Sequence, residues 1–410
     1  MNTRALLTLA SLSLLAACGG RPASRTTPVV SLEETRIVAR RTSGGELELE
    51  SYDASQLFQR AYDLGVARDC ERAVELYDRI VAEFPSSRFV SPSLYNAGLC
   101  LRDAGELAGA VERWSLLLSR QPDAADAKHA RFLMTSALVE LERWEPALDS
   151  AERLLDLDDL RSDERLEAMA RRAEALLGLG RIDEAERSAR DALSYYRTRQ
   201  GDEIIADEYF AAAANFVLAE TIRTRSEALA LPDADVAQQR ETLDRRAQLL
   251  LEAQRAYFDT IRHTDARWAA AAGHQIGAMY ERLYAAITEA PVPPPPPGRE
   301  LGPDALAIYQ REYRSQLAER VRPLMRHAIR YWELTLLMVE RTGVRSEWVE
   351  RTRTQLDRAR QRLLGAPVSA EPADSGAESQ PARALGAPAD RGESPTGDTA
   401  AAPSRAPVHQ

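Results

Sequence analysis

Hydrophobic positions recur with a helical period along most of the chain from about residue 54 onward. Ala, Leu, Arg and Glu dominate this region, whereas β-branched residues are sparse after residue 50. The four common residues are all strong helix formers, and apolar positions spaced three and four apart form one face of an amphipathic helix. The pattern therefore predicts an all-α fold for the main body of the protein.

A period of two precedes the helical pattern. Residues 46–50 alternate strictly between Glu and Leu, and residues 36–39 form another short run with Ile and Val. Gly44 and Gly45 lie between them, and glycine readily adopts the positive φ of a tight turn. We therefore predict a small β-hairpin in residues 35–52. Because an isolated hairpin is marginally stable, it must dock on another element.

The helical region repeats itself at an interval of about 37 residues. Four alanines occupy equivalent positions, and a small residue precedes each of them by twelve positions. The alanines are Ala73, Ala110, Ala147 and Ala185, and the preceding residues are Ala61, Gly98, Thr135 and Ala173. Prolines follow the first two alanines, and glycines mark two of the turns between the paired helices, at Pro85, Pro122, Gly105 and Gly180.

This arrangement resembles the tetratricopeptide repeat, whose pattern has small residues, an aromatic residue and a proline at these offsets. The resemblance covers four units in residues 54–200. The third unit departs from it, with Thr135 at a small position, Glu142 in place of the turn glycine and Ala151 in place of the aromatic residue. The resemblance implies helical hairpins that stack into a solenoid, because one hairpin cannot cover its own apolar face.

The pattern becomes irregular and the helices lengthen in residues 203–364. We predict two divergent helical pairs there, followed by a terminal capping helix near residues 344–364. Asp233 and Asp235 are candidate caps of one helix, and Asp265 is a candidate cap of the next, because a carboxylate can accept from free N-terminal amides.

Two segments of this half lack the helical pattern. Prolines at residues 291–297 favour a polyproline II segment, which is either a stiff connector between long helices or a ligand for a partner's aromatic groove. Residues 365–410 contain almost no large apolar side chain, so they predict a disordered tail.

The chain begins with a basic residue, Arg4, and an apolar run that ends in Leu-Ala-Ala-Cys-Gly at residues 15–19. The run is too short to span a bilayer as a helix. This segment resembles the lipobox of bacterial lipoproteins. The resemblance implies a signal peptide in residues 1–17, a lipid on Cys18 and a flexible tether in residues 18–34. The alternative is an ordinary cleaved signal peptide with a coincidental cysteine.

The composition argues against several classes of function. The formal net charge is -10 at pH 7, whereas nucleic-acid binding needs a basic stripe. The sequence has no metalloprotease His-Glu pair, nucleophile-elbow motif, phosphate-binding glycine loop or cluster of metal ligands. We therefore predict a protein that is not an enzyme and has no cofactor, metal or small-molecule substrate.

Two cysteines follow Cys18, at positions 70 and 100. An oxidising periplasm would permit Cys70 and Cys100 to form a disulfide. The other interpretation is that both are small buried hydrophobic residues.

The candidate binding site is the inner face of the solenoid, which the first helix of each pair lines. In the repeat register, large side chains with one arginine and one histidine are expected there, and they suit an extended or helical peptide. These residues are Phe58, Tyr62, Tyr95, Leu99, Arg102, His129 and Phe132. The alternative is that several of them pack against the hairpin or the next helix.

A lipid anchor followed by tetratricopeptide units resembles the repeat lipoproteins of outer-membrane assembly, the Tol-Pal system and gliding or pilus machines. Gly19, rather than Asp, follows the cysteine, which implies sorting to the periplasmic face of the outer membrane. We interpret the chain as a membrane-anchored adaptor or scaffold for envelope proteins. The alternatives are a regulator of peptidoglycan enzymes and an enzyme with an unrecognised site in residues 205–364.

Overall fold

The computed structural model of the chain describes residues 34–41, 47–200, 205, 207–232, 236–295 and 301–364. Several predicted features lie outside the described residues. They are the signal peptide, the lipidation site Cys18, the tether, the Gly44-Gly45 turn, the caps Asp233 and Asp235, the last prolines of the proline-rich segment and the C-terminal tail.

The described residues form one hairpin of strands followed by thirteen helices. Strand β1 is Thr35–Arg41 and strand β2 is Leu47–Asp53. The helices are α1 (Ala54–Val66), α2 (Cys70–Glu83), α3 (Val90–Asp103), α4 (Leu107–Arg120), α5 (Ala127–Glu140), α6 (Trp144–Leu155), α7 (Ser162–Gly178), α8 (Ile182–Arg199), α9 (Tyr209–Glu227), α10 (Val236–Arg262), α11 (Ala266–Thr288), α12 (Pro303–Thr342) and α13 (Glu347–Leu364). The predicted all-α, tetratricopeptide-like solenoid with a small N-terminal hairpin is confirmed.

The helices form two layers. Odd-numbered helices contact the next odd-numbered helix at several steps, including α5 with α7, α7 with α9 and α11 with α13. Within the described part of the chain, even-numbered helices contact mainly the odd-numbered helices on either side of them. The odd helices therefore lie closer together than the even helices, so the array curves toward the odd layer. We call the surface of this layer the inner face.

Small residues permit the paired helices to cross closely. Ala61 and Ala173 are fully buried at their crossings, and Gly98 lies directly under the indole ring of Trp114. The indole N–H of Trp114 donates to the carbonyl of Tyr95, across 3.3 Å. Because Gly98 has no Cβ atom, the Trp114 ring can fill the space between two closely spaced helices.

The third unit keeps the close crossing of its two helices but uses different residues at it. Thr135 is fully buried, and its hydroxyl is hydrogen-bonded to that of Ser150 across 2.7 Å. Glu142 replaces the turn glycine and adopts the same left-handed backbone, with φ of 55° compared with 81° for Gly105. The sequence departures of this unit are therefore accommodated locally, and the array continues through it.

The strands pair antiparallel, with Thr35 opposite Asp53 and Arg41 opposite Leu47. Asp53 also caps α1, because its carboxylate accepts the amide of Gln56 across 2.8 Å. The hairpin is thus continuous with the first helix.

The hairpin docks at the end of α2, which belongs to the outer layer. The hydroxyl of Tyr52 donates to the Glu83 carboxylate across 2.6 Å, and Arg36 donates to the Glu83 carbonyl across 2.9 Å. Tyr52 lies edge-on to Phe84, and the guanidinium of Arg79 lies 5.0 Å from the Tyr52 ring. These contacts supply the support that a two-stranded sheet needs.

The second half contains two longer helical pairs and the terminal helix α13. Asp265 caps α11, as predicted, by accepting the amides of Arg267 and Trp268. Trp332 on α12 packs over Gly277 on α11, which repeats the glycine and tryptophan crossing of the first half. Residues 291–295 join these two helices.

Both remaining cysteines are free thiols. Cys100 is buried and Cys70 is half-buried. Burial is the main cause that raises the pKa of the Cys100 thiol to about 12, which suits a small hydrophobic residue better than a nucleophile.

We expect Gly98→Ala to destabilise the protein, because the added methyl group would overlap the Trp114 indole. Overpacking of this kind typically lowers the free energy of unfolding by about 1 to 3 kcal/mol. Gly109→Ala on α4 is the matched control, since its added methyl would meet the Leu101 side chain at 3.4 Å, an ordinary contact. Urea denaturation should place the midpoint of G98A below that of the wild type and the midpoint of G109A at or above it. Equal midpoints for both variants would contradict the close crossing.

Candidate functional site

A stripe of polar and aromatic side chains crosses the inner face over α3, α5 and α7. We call it the inner stripe. Its residues lie three, four or seven positions apart on each of these odd helices. Its members are Tyr95, Leu99 and Arg102 on α3, His129, Ser136 and Glu140 on α5, and Glu167, Arg171 and Glu174 on α7.

The first link in the stripe joins α3 to α5. The hydroxyl of Tyr95 and Nδ1 of His129 are 2.7 Å apart, and the two rings are in contact. Partial desolvation lowers the pKa of His129, and the nearby charge of Arg102 lowers it further. The imidazole is therefore neutral at pH 7, and it presents an exposed aromatic edge beside the exposed guanidinium of Arg102.

The second link joins α5 to α7 through a buried ion pair. Arg171 donates to Glu174 across 2.9 Å and to the hydroxyl of Ser136 across 2.9 Å. Arg171 is 4% exposed and Glu174 is fully buried. The Phe210 ring of α9 lies 5.3 Å from the Arg171 guanidinium, at cation–π distance. The pair thus holds three inner helices together.

Two partly buried carboxylates in the stripe have no such partner. Glu140 and Glu167 make no hydrogen bond or ion pair within the described ranges of the chain. Desolvation raises the pKa of Glu140, and it raises the pKa of Glu167 to about 7 against the opposing effect of Arg171. This part of the inner face therefore holds two carboxylates that have no ion-pair partner among the described residues, and the charge of Arg171 only partly offsets their desolvation.

The structure brings together some of the predicted groove residues and separates others. Tyr95, Leu99, Arg102 and His129 all belong to the inner stripe. Tyr62 lies half-buried on α1, and its role in binding stays a prediction.

Two of the predicted groove residues pack against other side chains of the protein. Phe58 contacts the rings of Tyr77 and Phe89, with centroids 5.7 and 5.2 Å away. Phe132 is buried in a cluster with Leu154 and Ala168. Phe132 lies three residues after His129 and four before Ser136, on the same side of α5, but Leu154 and Ala168 cover it.

The sequence prediction missed the charged half of the site. Ser136 and Glu140 follow His129 at intervals of seven and eleven on α5, and Arg171 and Glu174 follow Glu167 at intervals of four and seven on α7. Charged residues on a helix usually pair with neighbours in solvent, which hid this signal among many similar glutamates and arginines. The spacing alone could have placed these residues on one face.

The hairpin does not account for the stripe. Its described side-chain contacts outside the sheet are with α1 and α2, through Tyr52, Arg36 and the pair formed by Glu50 and Arg60. These contacts are with the first helical pair, whereas the stripe begins on α3.

The described residues contain no group of three or more His, Cys, Asp or Glu side chains arranged to hold a metal ion. None of the described helices is long and apolar enough to cross a bilayer.

No protein-family model and no curated protein matches the chain, whereas several solved structures do. A tetratricopeptide repeat protein from Parabacteroides merdae is 15% identical over 75% of this chain and 98% of its own, with a TM-score of 0.36. YrrB, a TPR protein with an unusual peptide-binding site, is 19% identical over 52% of this chain and 92% of its own, with a TM-score of 0.34. MamA is 13% identical over 51% and 94%, with a TM-score of 0.34. At these identities the likeness concerns the fold alone.

We expect Glu167→Gln to stabilise the protein at alkaline pH. The folded-state pKa of Glu167 is raised from 4.5 to about 7, so its ionisation disfavours the folded state as the pH rises through 7. At about 1.4 kcal/mol per pKa unit, the variant should gain on the order of 2 to 3 kcal/mol at pH 8.5 and almost nothing at pH 4.

Denaturation midpoints of wild type and E167Q, measured from pH 4 to pH 9, check this expectation. Glu75→Gln, which changes an exposed glutamate on α2, is the control and should follow the wild type throughout. A constant difference between E167Q and the wild type at all pH values would contradict the raised pKa.

Proposed function

We propose that the protein is a membrane-anchored adaptor of the bacterial cell envelope that binds a segment of a partner protein on its inner face. The single observation that carries this proposal is the inner stripe, where aromatic, cationic and unpaired acidic side chains line one surface of a helical-repeat array. Repeat solenoids use extended concave surfaces of this kind for binding. No constellation of nucleophile, base and oxyanion donors accompanies the stripe among the described residues, so we favour binding over catalysis.

The chemistry of the stripe specifies the partner segment. Glu140 and Glu167 offer two desolvated carboxylates, and a Lys or Arg side chain would supply the counter-charge that the chain leaves out. Leu99 and the His129 ring offer apolar area beside them. We therefore propose a partner segment, extended or helical, that presents a basic residue next to an apolar or aromatic residue.

The anchor is the second part of the proposal. The N-terminal resemblance to a lipobox supports acylation of Cys18, which would hold the solenoid at the periplasmic face of the outer membrane. Multiple acyl chains give stable attachment, because each buried methylene contributes about 0.8 kcal/mol. The pathway that the adaptor serves would follow from the identity of its partner, whether an assembly factor, a motility protein or a peptidoglycan enzyme.

We expect photo-crosslinking residues at Leu99, His129 and Glu140 to capture the same envelope protein in the native host. All three positions lie on the inner stripe and retain some exposure. Arg120, exposed on the outer helix α4, is the control position and should capture no such adduct. Mass spectrometry of the adducts identifies the partner.

A second set of variants in the same experiment tests whether the charge of the inner stripe contributes to binding. With the crosslinker at Leu99, Glu140→Gln should reduce the yield of the adduct several-fold, whereas Glu75→Gln should leave it unchanged. Equal capture from Arg120 and from the stripe, or no capture at any stripe position, would contradict binding on the inner face.

We expect Cys18→Ala to abolish lipid attachment. In a Gram-negative host supplied with an alkyne fatty acid, the wild type should incorporate the label and enter the detergent phase of a Triton X-114 extraction. The control Cys70→Ala should behave as the wild type, because its thiol lies on α2 inside the repeat body. A wild-type protein without label, or a label that persists in C18A, would show that the cysteine is not the anchor.

A further inference from the structure

A second polar site lies between α9, α10 and α11, apart from the inner stripe. It is a small, partly enclosed cavity with a free volume of about 10 Å³. Its polar lining consists of Arg223, Arg246, Arg282, Glu227 and Ser226, and leucine and methionine side chains close the rest. Three arginines around one small cavity are unusual, because guanidinium groups repel each other unless acidic groups compensate them.

The carboxylates near the cavity are already fully engaged. One oxygen of Glu220 accepts two hydrogen bonds from Arg223, at 3.2 and 2.6 Å, and the other accepts the hydroxyl of Tyr257. Glu227 accepts from Arg223 across 2.5 Å and from Arg282 across 2.6 Å, with one oxygen for each. Two carboxylates thus compensate two of the three guanidinium groups.

Arg246 is the third arginine, whose charge these two carboxylates do not compensate. It is only 7% exposed, and its Nε atom has no hydrogen-bond partner. Its one described side-chain hydrogen bond is a long one of 3.4 Å to the carbonyl of Leu229. Desolvation lowers the pKa of Arg246, and the charge of Glu227 only partly opposes this effect. A buried cation in this position is unfavourable unless an anion accompanies it.

Arg282, which also lines the cavity, has a hydrogen-bond donor that is not used. Its Nε atom donates to Glu227 and its Nη2 atom donates to Gln275 across 3.2 Å, which leaves Nη1 without a partner among the described residues. Free donors of Arg246 and Arg282 therefore meet at a cavity whose nearest charged groups sum to one positive charge.

We propose that this cavity binds one monovalent halide ion, which is chloride in physiological media. The size of the free space favours a monatomic ion over a phosphate or sulfate, because only a body close to a water molecule in diameter fits between the arginines. A single negative charge also matches the one uncompensated guanidinium. The bound ion joins α9, α10 and α11 at the start of the irregular half of the solenoid, so it stabilises the junction of these helices.

Thermal unfolding of the purified protein in sodium chloride and in sodium gluconate, at equal ionic strength, tests the proposal. We expect the midpoint to rise with chloride concentration and to stay constant in gluconate, because an ion that binds only the folded state stabilises it by mass action. Arg246→Gln should remove the chloride dependence. Arg245→Gln, at the exposed neighbouring position, should retain it. Equal midpoints in both salts, or a chloride response that survives in R246Q, would overturn the proposal.

A second measurement does not depend on the folding of a variant. In crystals of the wild type soaked in bromide, we expect one anomalous-scattering peak between Arg246 and Arg282. A cavity without such a peak refutes the site. A peak without any chloride dependence of the midpoint means an adventitious ion only, bound at crystal concentration, and also overturns the proposal.

Discussion

The close crossing of paired helices at a residue with little or no side chain is the constraint on which the rest of the structure depends. At two crossings within a pair a tryptophan lies against a glycine, Gly98 with Trp114 and Gly277 with Trp332, and Gly178 with Trp144 makes the same contact between α7 and α6 of successive pairs. An indole ring fills the space that the missing Cβ atom leaves, so the helices are both close and well packed. This crossing appears in the regular and irregular halves alike, and it sets the spacing of the odd helices.

Close spacing of the odd helices explains why charged residues are buried in this protein. Arg171 and Glu220 are buried where a neighbouring helix covers them, with Phe210 of α9 against Arg171 and Tyr257 of α10 against Glu220. Each then needs a partner on the same or a neighbouring helix, and Glu174 and Arg223 supply those partners within three residues. Burial of a paired charge adds little net stability, but removing one partner is strongly destabilising. The pairs therefore favour one register of the stacked helices.

The local elements were predictable from the sequence, whereas the burial of individual side chains was not. Alternation in residues 46–50 predicted the hairpin, and the recurring alanines predicted the helical pairs. Glu142 was noted as a departure from the repeat, but its left-handed backbone follows from the turn and not from the residue type. The repeat register predicted Phe132 on the inner face. Its burial beside Ala168 depends on the angle between successive hairpins, which no local pattern encodes.

The unpaired carboxylates of the inner stripe differ in physical terms from the buried pairs. Arg171 and Glu174 form a buried ion pair, although Nε of Arg171 and one carboxylate oxygen of Glu174 have no hydrogen-bond partner among the described residues. Glu140 and Glu167 are desolvated without an ion-pair partner among the described residues, which makes the empty face unfavourable when both are ionised. A cationic side chain that docks there relieves an existing electrostatic penalty and replaces little bound water. For the proposed adaptor, the energy of recognition would thus come from strain already present in the unbound solenoid, and the same burial that raises the pKa values would make that recognition selective for a basic segment.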